Sequence, residues 1–213
     1  MTIRDDPAAG GPCRTRGDAR RQALLDAAWR LFLDKGYERT TLGDIIAMAG
    51  GSRSTLYEAF GDKDGLFATV IGTRCREFVD RLKQVSLSDA DPAAALTDFG
   101  MHFAREVFSE DTPRLMRLMI ANGEHLPGVV DSFLTGAADE VRALLARYFR
   151  DAQARGQLRL EDPERAASAF IGMLQGDWFT RFLMRPADLP TDEQIRHHVS
   201  TSVALLLDGA RRR

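Results

Sequence analysis

The stretch IIAMAGGSRSTLYEAF, residues 45–60, constrains the fold more than any other, because two short helical patterns meet there at Gly50-Gly51-Ser52. Before the glycines, Leu42, Ile45, Ile46 and Ala49 fall at helical spacing behind Thr41, and Asp44 stands three positions on in a capping-box arrangement. After them, Ser52 can cap a helix that carries Leu56, Ala59 and Phe60 on one side and Arg53, Ser54, Thr55 and Tyr57 on the other. Helix nucleation is costly, and isolated helices below about 12 residues are marginal in water. The flanking chain must therefore brace both.

Those flanks are helical as well. Asp18 is the expected cap of a first helix whose apolar face is Leu24, Ala27, Ala28, Leu31 and Phe32, with Gly36 as its stop. Gly61 closes the third helix and Asp62 caps a long fourth. Its apolar positions, Leu66, Phe67, Val70, Ile71, Phe78, Val79 and Leu82, carry it to about Leu87. From Pro92 on, the pattern predicts helices over 92–108, 113–124, 128–155, 163–185 and 192–209, divided at Pro113, Pro127, Gly156, Pro163, Pro186 and Pro190. No period-two segment of convincing length appears, so the fold class is all-α.

The 213 residues are 44% apolar, enough for a sizeable core, and the formal charge of −2 excludes a polybasic coat. Any contact with nucleic acid must come from a local patch. Residues 1–17, rich in Gly, Pro, Arg and Asp, read as a flexible arm. Cys13 and Cys75 are too few for a disulfide framework, and Cys75 between Arg74 and Arg76 leaves redox sensing open. With no charged-then-apolar leader and no long apolar run, the expected compartment is the cytoplasm. His197 and His198 are adjacent, so they point apart on a helix and make no metal edge. No Gly-rich phosphate loop, nucleophile elbow or carboxylate pair is present, and neither catalysis, cofactor nor metal is expected.

Two short helices joined by a tight Gly turn, braced by longer ones, make a helix-turn-helix, whose second short helix enters the DNA major groove. The residues suit this. Arg53 can fork onto a guanine edge, Ser54 and Thr55 can bond bases or phosphates, and Tyr57 can reach a phosphate. Thr40 and Thr41 at the start of helix two, and Lys63 in the first turn of helix four, suit phosphates as well.

Residues 24–67 resemble the N-terminal domain of the tetracycline-repressor (TetR/AcrR) family. The match rests on Gly36-Tyr37, Thr40-Thr41, Ile45-Ile46-Ala47, Ala49-Gly50, Thr55-Leu56-Tyr57, Phe60, Lys63 and Leu66-Phe67. Gly51 stands where the family pattern has an apolar residue. The stretches LMRLMIANGEHLPGVVDSF and GMLQGDWFTRFLM resemble the C-terminal domain of AcrR-like members. The resemblance implies a DNA-binding domain over 18–65 and a helical effector-binding and dimerisation domain over 66–213. It also implies a homodimeric repressor that leaves a palindromic operator when a small hydrophobic or amphipathic effector binds.

Within the second domain, Phe99, Phe103, Met116, Met119, Phe133 and Trp178 belong to a Met/aromatic set that can fill core or line an adaptable pocket. His102, Glu124 and Asp177 interrupt apolar runs and would each need a partner if buried. Ile171, Gly172, Gly176, Phe179 and Leu183, with Val199, Val203 and Leu206, give the last two helices broad apolar faces, which in this family build the dimer interface. Two other readings stay open. One is a regulator whose second domain is only a dimerisation or protein-partner module; the other is a helical small-molecule-binding protein or enzyme that keeps the motif as scaffold.

Overall fold

The computed structural model describes residues 16–87, 91–185 and 188–210, and every described element is helical. Most of the expected arm, Cys13 and the Pro186 boundary lie outside the described residues; Arg16 and Gly17 do not, because they begin α1. The chain divides into two compact units, one up to Phe67 and one from Ala68.

The first unit holds α1 (Arg16–Lys35), α2 (Leu42–Ala49), α3 (Arg53–Phe60) and the first turn of α4 (Lys63–Lys83). Asp18 lies inside the first turn of α1 and is not its cap. The other punctuation follows local chemistry. Gly36 takes φ 84° and its N–H closes α1 on Phe32. Thr41 and Asp44 complete the capping box, Ser52 Oγ accepts from Thr55 N–H at 3.2 Å, and Asp62 Oδ1 accepts from Gly65 N–H at 2.8 Å. The core is the α1 stripe Leu24, Ala28, Leu31 and Phe32, closed by Ile45, Leu56, Phe60, Leu66 and Phe67. Leu42 and Ile46, at the same helical spacing as Ile45, are only half-buried.

The second unit contains the rest of α4, which ends at Lys83 rather than Leu87, then α5 (Pro92–Val107), α6 (Asp111–Asn122), α7 (Pro127–Ser132), α8 (Asp139–Ala154), α9 (Pro163–Met184) and α10 (Asp192–Ala210). The single helix expected over 128–155 is interrupted by a π-helical segment, Phe133–Ala138. Val129, Phe133, Ala137, Val141 and Leu145 recur every four residues and are all buried or half-buried. On a regular α-helix that repeat drifts by about 40° per step. Widened turns absorb the drift and hold the five side chains inward.

α9 crosses the core and packs against α5, α6, α8 and α10. It breaks at Gly176, whose φ of 52° and ψ of −157° free carbonyls in the preceding turn. α10 supplies the missing donors: Leu174 O accepts from His198 Nε2 at 3.0 Å, and Met173 O accepts from Ser202 Oγ at 3.4 Å. Gly100 on α5 permits the closest approach, since a Cβ there would lie 2.7 Å from Val199 Cγ1 and 3.1 Å from Leu174 Cδ2.

Candidate nucleic-acid interface

α3 is too short to hold itself, and its burial shows how it is held. Leu56 and Phe60 face the core, while Arg53, Ser54, Tyr57 and Glu58 face outward, with Tyr57 53% exposed. From α1, the Arg21 guanidinium lies 5.1 Å from the centroid of the Phe60 ring. The turn is set by Gly50 (φ 74°), whose N–H closes α2 on Ile46, and by Gly51 (φ 116°). A side chain at Gly51 would meet backbone strain and stand 3.9 Å from Arg20 Nη1. The family's apolar position is thus occupied by the residue this backbone favours. It also places Arg20 beside the turn.

The expected contact residues separate into two groups. Arg53, Ser54 and Tyr57 share the exposed face of α3; Thr41 is exposed at the start of α2, and Thr55 is half-buried with its hydroxyl 2.9 Å from Ser52 Oγ. Ser54 Oγ donates to Glu58 Oε1 at 3.0 Å, so Glu58 holds the hydroxyl that was expected to reach a base. Thr40 must be corrected. Only 1% exposed, its hydroxyl donates to Leu31 O and Gly36 O at 3.1 and 2.8 Å, ending α1 internally rather than meeting a phosphate.

Lys63 is half-buried, with Nζ donating to Glu38 O at 3.3 Å and lying 4.2 Å from the centroid of the Tyr37 ring. Those bonds leave the ammonium spare donor capacity. Tyr37 OH in turn donates to Asp64, and burial followed by that bond pushes its pKa upward. Asp44 is held below the usual carboxylate range, first by the Thr41 N–H and hydroxyl and then by Lys35 at 3.3 Å. Arg20 and Arg21 escaped the reading of the sequence because α1 was read for its apolar stripe. The adjacent pair of arginines just before Leu24 was the available signal.

In the second unit, none of the three polar residues that would need a partner if buried is buried. His102, Glu124 and Asp177 are exposed on the surface of the chain. His102 is bonded to Asp98 O at 2.9 Å, and Asp177 accepts from Arg181 at 2.8 Å. Phe99, Phe103 and Met119 are core; Met116, Phe133 and Trp178 are half-buried, and Trp178 lines a cleft of about 390 Å³. Of the expected dimer residues, Val199 and Val203 are corrected, being buried in this chain's own core. Ile171, Phe179, Leu183 and Leu206 are half-buried, and Gly172 and Gly176 are exposed. Leu205 and Met184, missed from the sequence, are 64% and 78% exposed.

Cys75 is not an activated thiol, for burial outweighs Arg76 and pushes its pKa to about 11. Among the described residues, no cluster of His, Cys, Asp or Glu could hold a metal, and no helix is long and apolar enough to cross a membrane.

Comparison with known proteins agrees with this geometry. Residues 24–70 match the family described as bacterial regulatory proteins, tetR family, and residues 94–209 match the AefR-like transcriptional repressor, C-terminal domain. The chain is 35% identical to the HTH-type transcriptional repressor ComR of Escherichia coli over 94 residues, 44% of this chain and 45% of ComR. It is 30% identical to the HTH-type transcriptional repressor BepR of Brucella suis over 76% of this chain and 81% of BepR. A TetR-family regulator from Mesorhizobium loti superposes with a TM-score of 0.88 at 26% identity, covering 93% of this chain and all of the other. The flavonoid-responsive regulator FrrA gives 0.76 at 25% identity, covering 91% and 98%. With its braced helix-turn-helix and its family matches at both ends, the chain belongs to the TetR family of transcriptional regulators.

Proposed function

We propose that the chain is a ligand-responsive repressor that binds a palindromic operator in the cytoplasm as a homodimer. Residues 18–65 bind DNA, and residues 66–213 dimerise and take the effector. The observation that carries this reading is the outer face of α3, where Arg53, Ser54 and Tyr57 stand exposed on a helix anchored through Leu56 and Phe60. In this reading Arg53, Ser54 and Thr55 read base edges, while Thr41, Tyr57, Lys63 and Arg20 position the protein on phosphates.

The dimer face is drawn from the outward residues of α9 and α10. Leu205 and Met184 are large, apolar and exposed, and Ile171, Phe179, Leu183 and Leu206 are half-buried beside the inward Val199 and Val203. Family resemblance supports an effector of small size, as FrrA is named for its response to flavonoids. Such a ligand can release the operator only by binding the DNA-incompetent state more tightly.

Selection of duplexes from a random library by the purified protein tests the reading. A palindrome with half-sites about one helical turn apart is expected. Failure to enrich any sequence would contradict it.

A further inference from the structure

α1 carries arginines beyond the end of the core it packs against. Leu24 is the first buried residue of that helix, and Arg20 and Arg16 precede it at steps of four residues, both exposed. Each such step moves about 6 Å along the axis and about 40° round it, so the two arginines stand one above the other on one side of the helix. Asp18, two residues from each, falls on the far side. Arg21 is turned away as well, its guanidinium lying 5.1 Å from the centroid of the Phe60 ring.

Arg20 shows where its side of α1 leads. Its Nη1 and Cδ lie 3.9 and 4.0 Å from the place a Cβ would take at Gly51. The side chain therefore covers the turn between α2 and α3, just before Ser52 and Arg53 begin the recognition helix. Any side chain at residue 51 would compete for that space. With glycine there, Arg20 borders the face that carries Arg53, Ser54 and Tyr57, and Arg16 stands one turn farther out. No ion pair holds either arginine among the described residues.

A duplex offers two surfaces in that direction. Beside a helix seated in the major groove runs a sugar-phosphate strand, and past the strand lies the minor groove. Arginine is more weakly hydrated than lysine and suits a narrow minor groove, where the negative potential is enhanced. Both outer cations here are arginines. The first unit's two lysines are engaged elsewhere, Lys35 with Asp44 and Lys63 with Glu38 O and the Tyr37 ring.

We propose that Arg20 spans the phosphate strand bordering α3 and that Arg16 enters the minor groove beyond it, so that the operator is also read at base pairs α3 does not touch. The assignment rests on the operator reading above and adds a second groove to it. In the minor groove A·T and T·A look alike, and G·C differs by the guanine N2 amino group. The expected preference is therefore for A·T pairs in either orientation.

The test uses the full chain and the operator obtained by selection, with each base pair bordering the half-sites replaced in turn by A·T, T·A, G·C and inosine·C. Inosine·C keeps the major-groove face of G·C and lacks its minor-groove amino group. At one or two bordering pairs the wild type should bind A·T, T·A and inosine·C alike and G·C about fivefold more weakly or worse. Arg16→Gln should abolish that difference and keep the order of preference within the half-sites, which a folding defect would not do. Arg20→Gln should weaken all these duplexes alike and reduce the salt slope by about one. Equal wild-type affinity for G·C and inosine·C at every bordering pair, or an undiminished difference in the Arg16→Gln chain, would overturn the proposal while leaving the operator reading intact. Failure of the selection to enrich any duplex would contradict both.

Discussion

The guanidinium of Arg21 lies 5.1 Å from the centroid of the Phe60 ring, so α1 grips α3 through a cation and an aromatic ring at the edge of the core. Phe60 fills that core, and Phe60→Ala should cost about 3–5 kcal/mol of unfolding free energy. Arg21→Ala, at a more exposed contact, should cost about 0.5–1 kcal/mol. Urea denaturation of both variants checks the order. An Arg21→Ala loss as large as that of Phe60→Ala would mean that Arg21 acts through something other than this ring.

Asp44 makes the stability of α2 depend on pH. The Thr41 N–H, the Thr41 hydroxyl and Lys35 hold its folded pKa below the unfolded carboxylate value, so its contribution is present above about pH 4 and is lost as pH falls through the folded value. Asp44→Asn should flatten part of the acid limb of stability against pH. Thr41→Ala should lower stability at neutral pH by about 1 kcal/mol through loss of the cap. Thermal unfolding followed from neutral pH down to about pH 2, below the ordinary carboxylate value, reads both effects.

Glu58 opposes the proposed function of its own helix. It stands exposed on the face of α3 and holds the Ser54 hydroxyl. Glu58→Gln should tighten binding to every duplex, because a negative charge leaves the neighbourhood of the phosphates. Affinity measured at several salt concentrations should show the gain largest at low salt. Weaker binding in the variant would place Glu58 among the base contacts instead.

Gly100 can be tested by overpacking. A Cβ there would approach Val199 Cγ1 to 2.7 Å, so Gly100→Ala should destabilise by about 1–3 kcal/mol. Trimming Val199 to Ala in the same chain should recover part of that loss, a favourable coupling readable in a double-mutant cycle.

Cys75, with its thiol pushed up to about 11, should resist alkylation. At pH 8 only about one thiol in a thousand would be thiolate, against roughly a quarter for an unperturbed cysteine. Iodoacetamide labelling of a Cys13→Ser chain, followed by mass spectrometry, should be far slower in native buffer than in denaturant. Equal rates would restore the redox possibility.

Local chemistry made much of this fold legible in the sequence. Gly36, Thr41, Ser52, Gly61 and Asp62 each satisfy or end backbone bonds through their own side chain or backbone freedom, so the helix boundaries around α2 and α3 follow from residue type. What a side chain faces was harder to read. Thr40 and Thr41 are neighbours with the same hydroxyl, yet one is buried against α1 carbonyls and the other caps α2. His102 and Asp177 interrupt apolar runs, but each has a surface partner four residues away, Asp98 and Arg181. Val199 and Val203 showed that a broad apolar face on α10 serves this chain's core before any partner. The break at Gly176 depends on donors from α10, which no local pattern in α9 could reveal.

The exposed face of α3 is the proposed reader of bases. It is tested most directly by measuring wild-type and Arg53→Ala affinities for the selected operator and for each of its single base-pair variants, at one salt concentration. One or two positions are expected where a base change costs the wild type about 1–3 kcal/mol and leaves the Arg53→Ala chain indifferent. Identical discrimination at every position in both chains would contradict it.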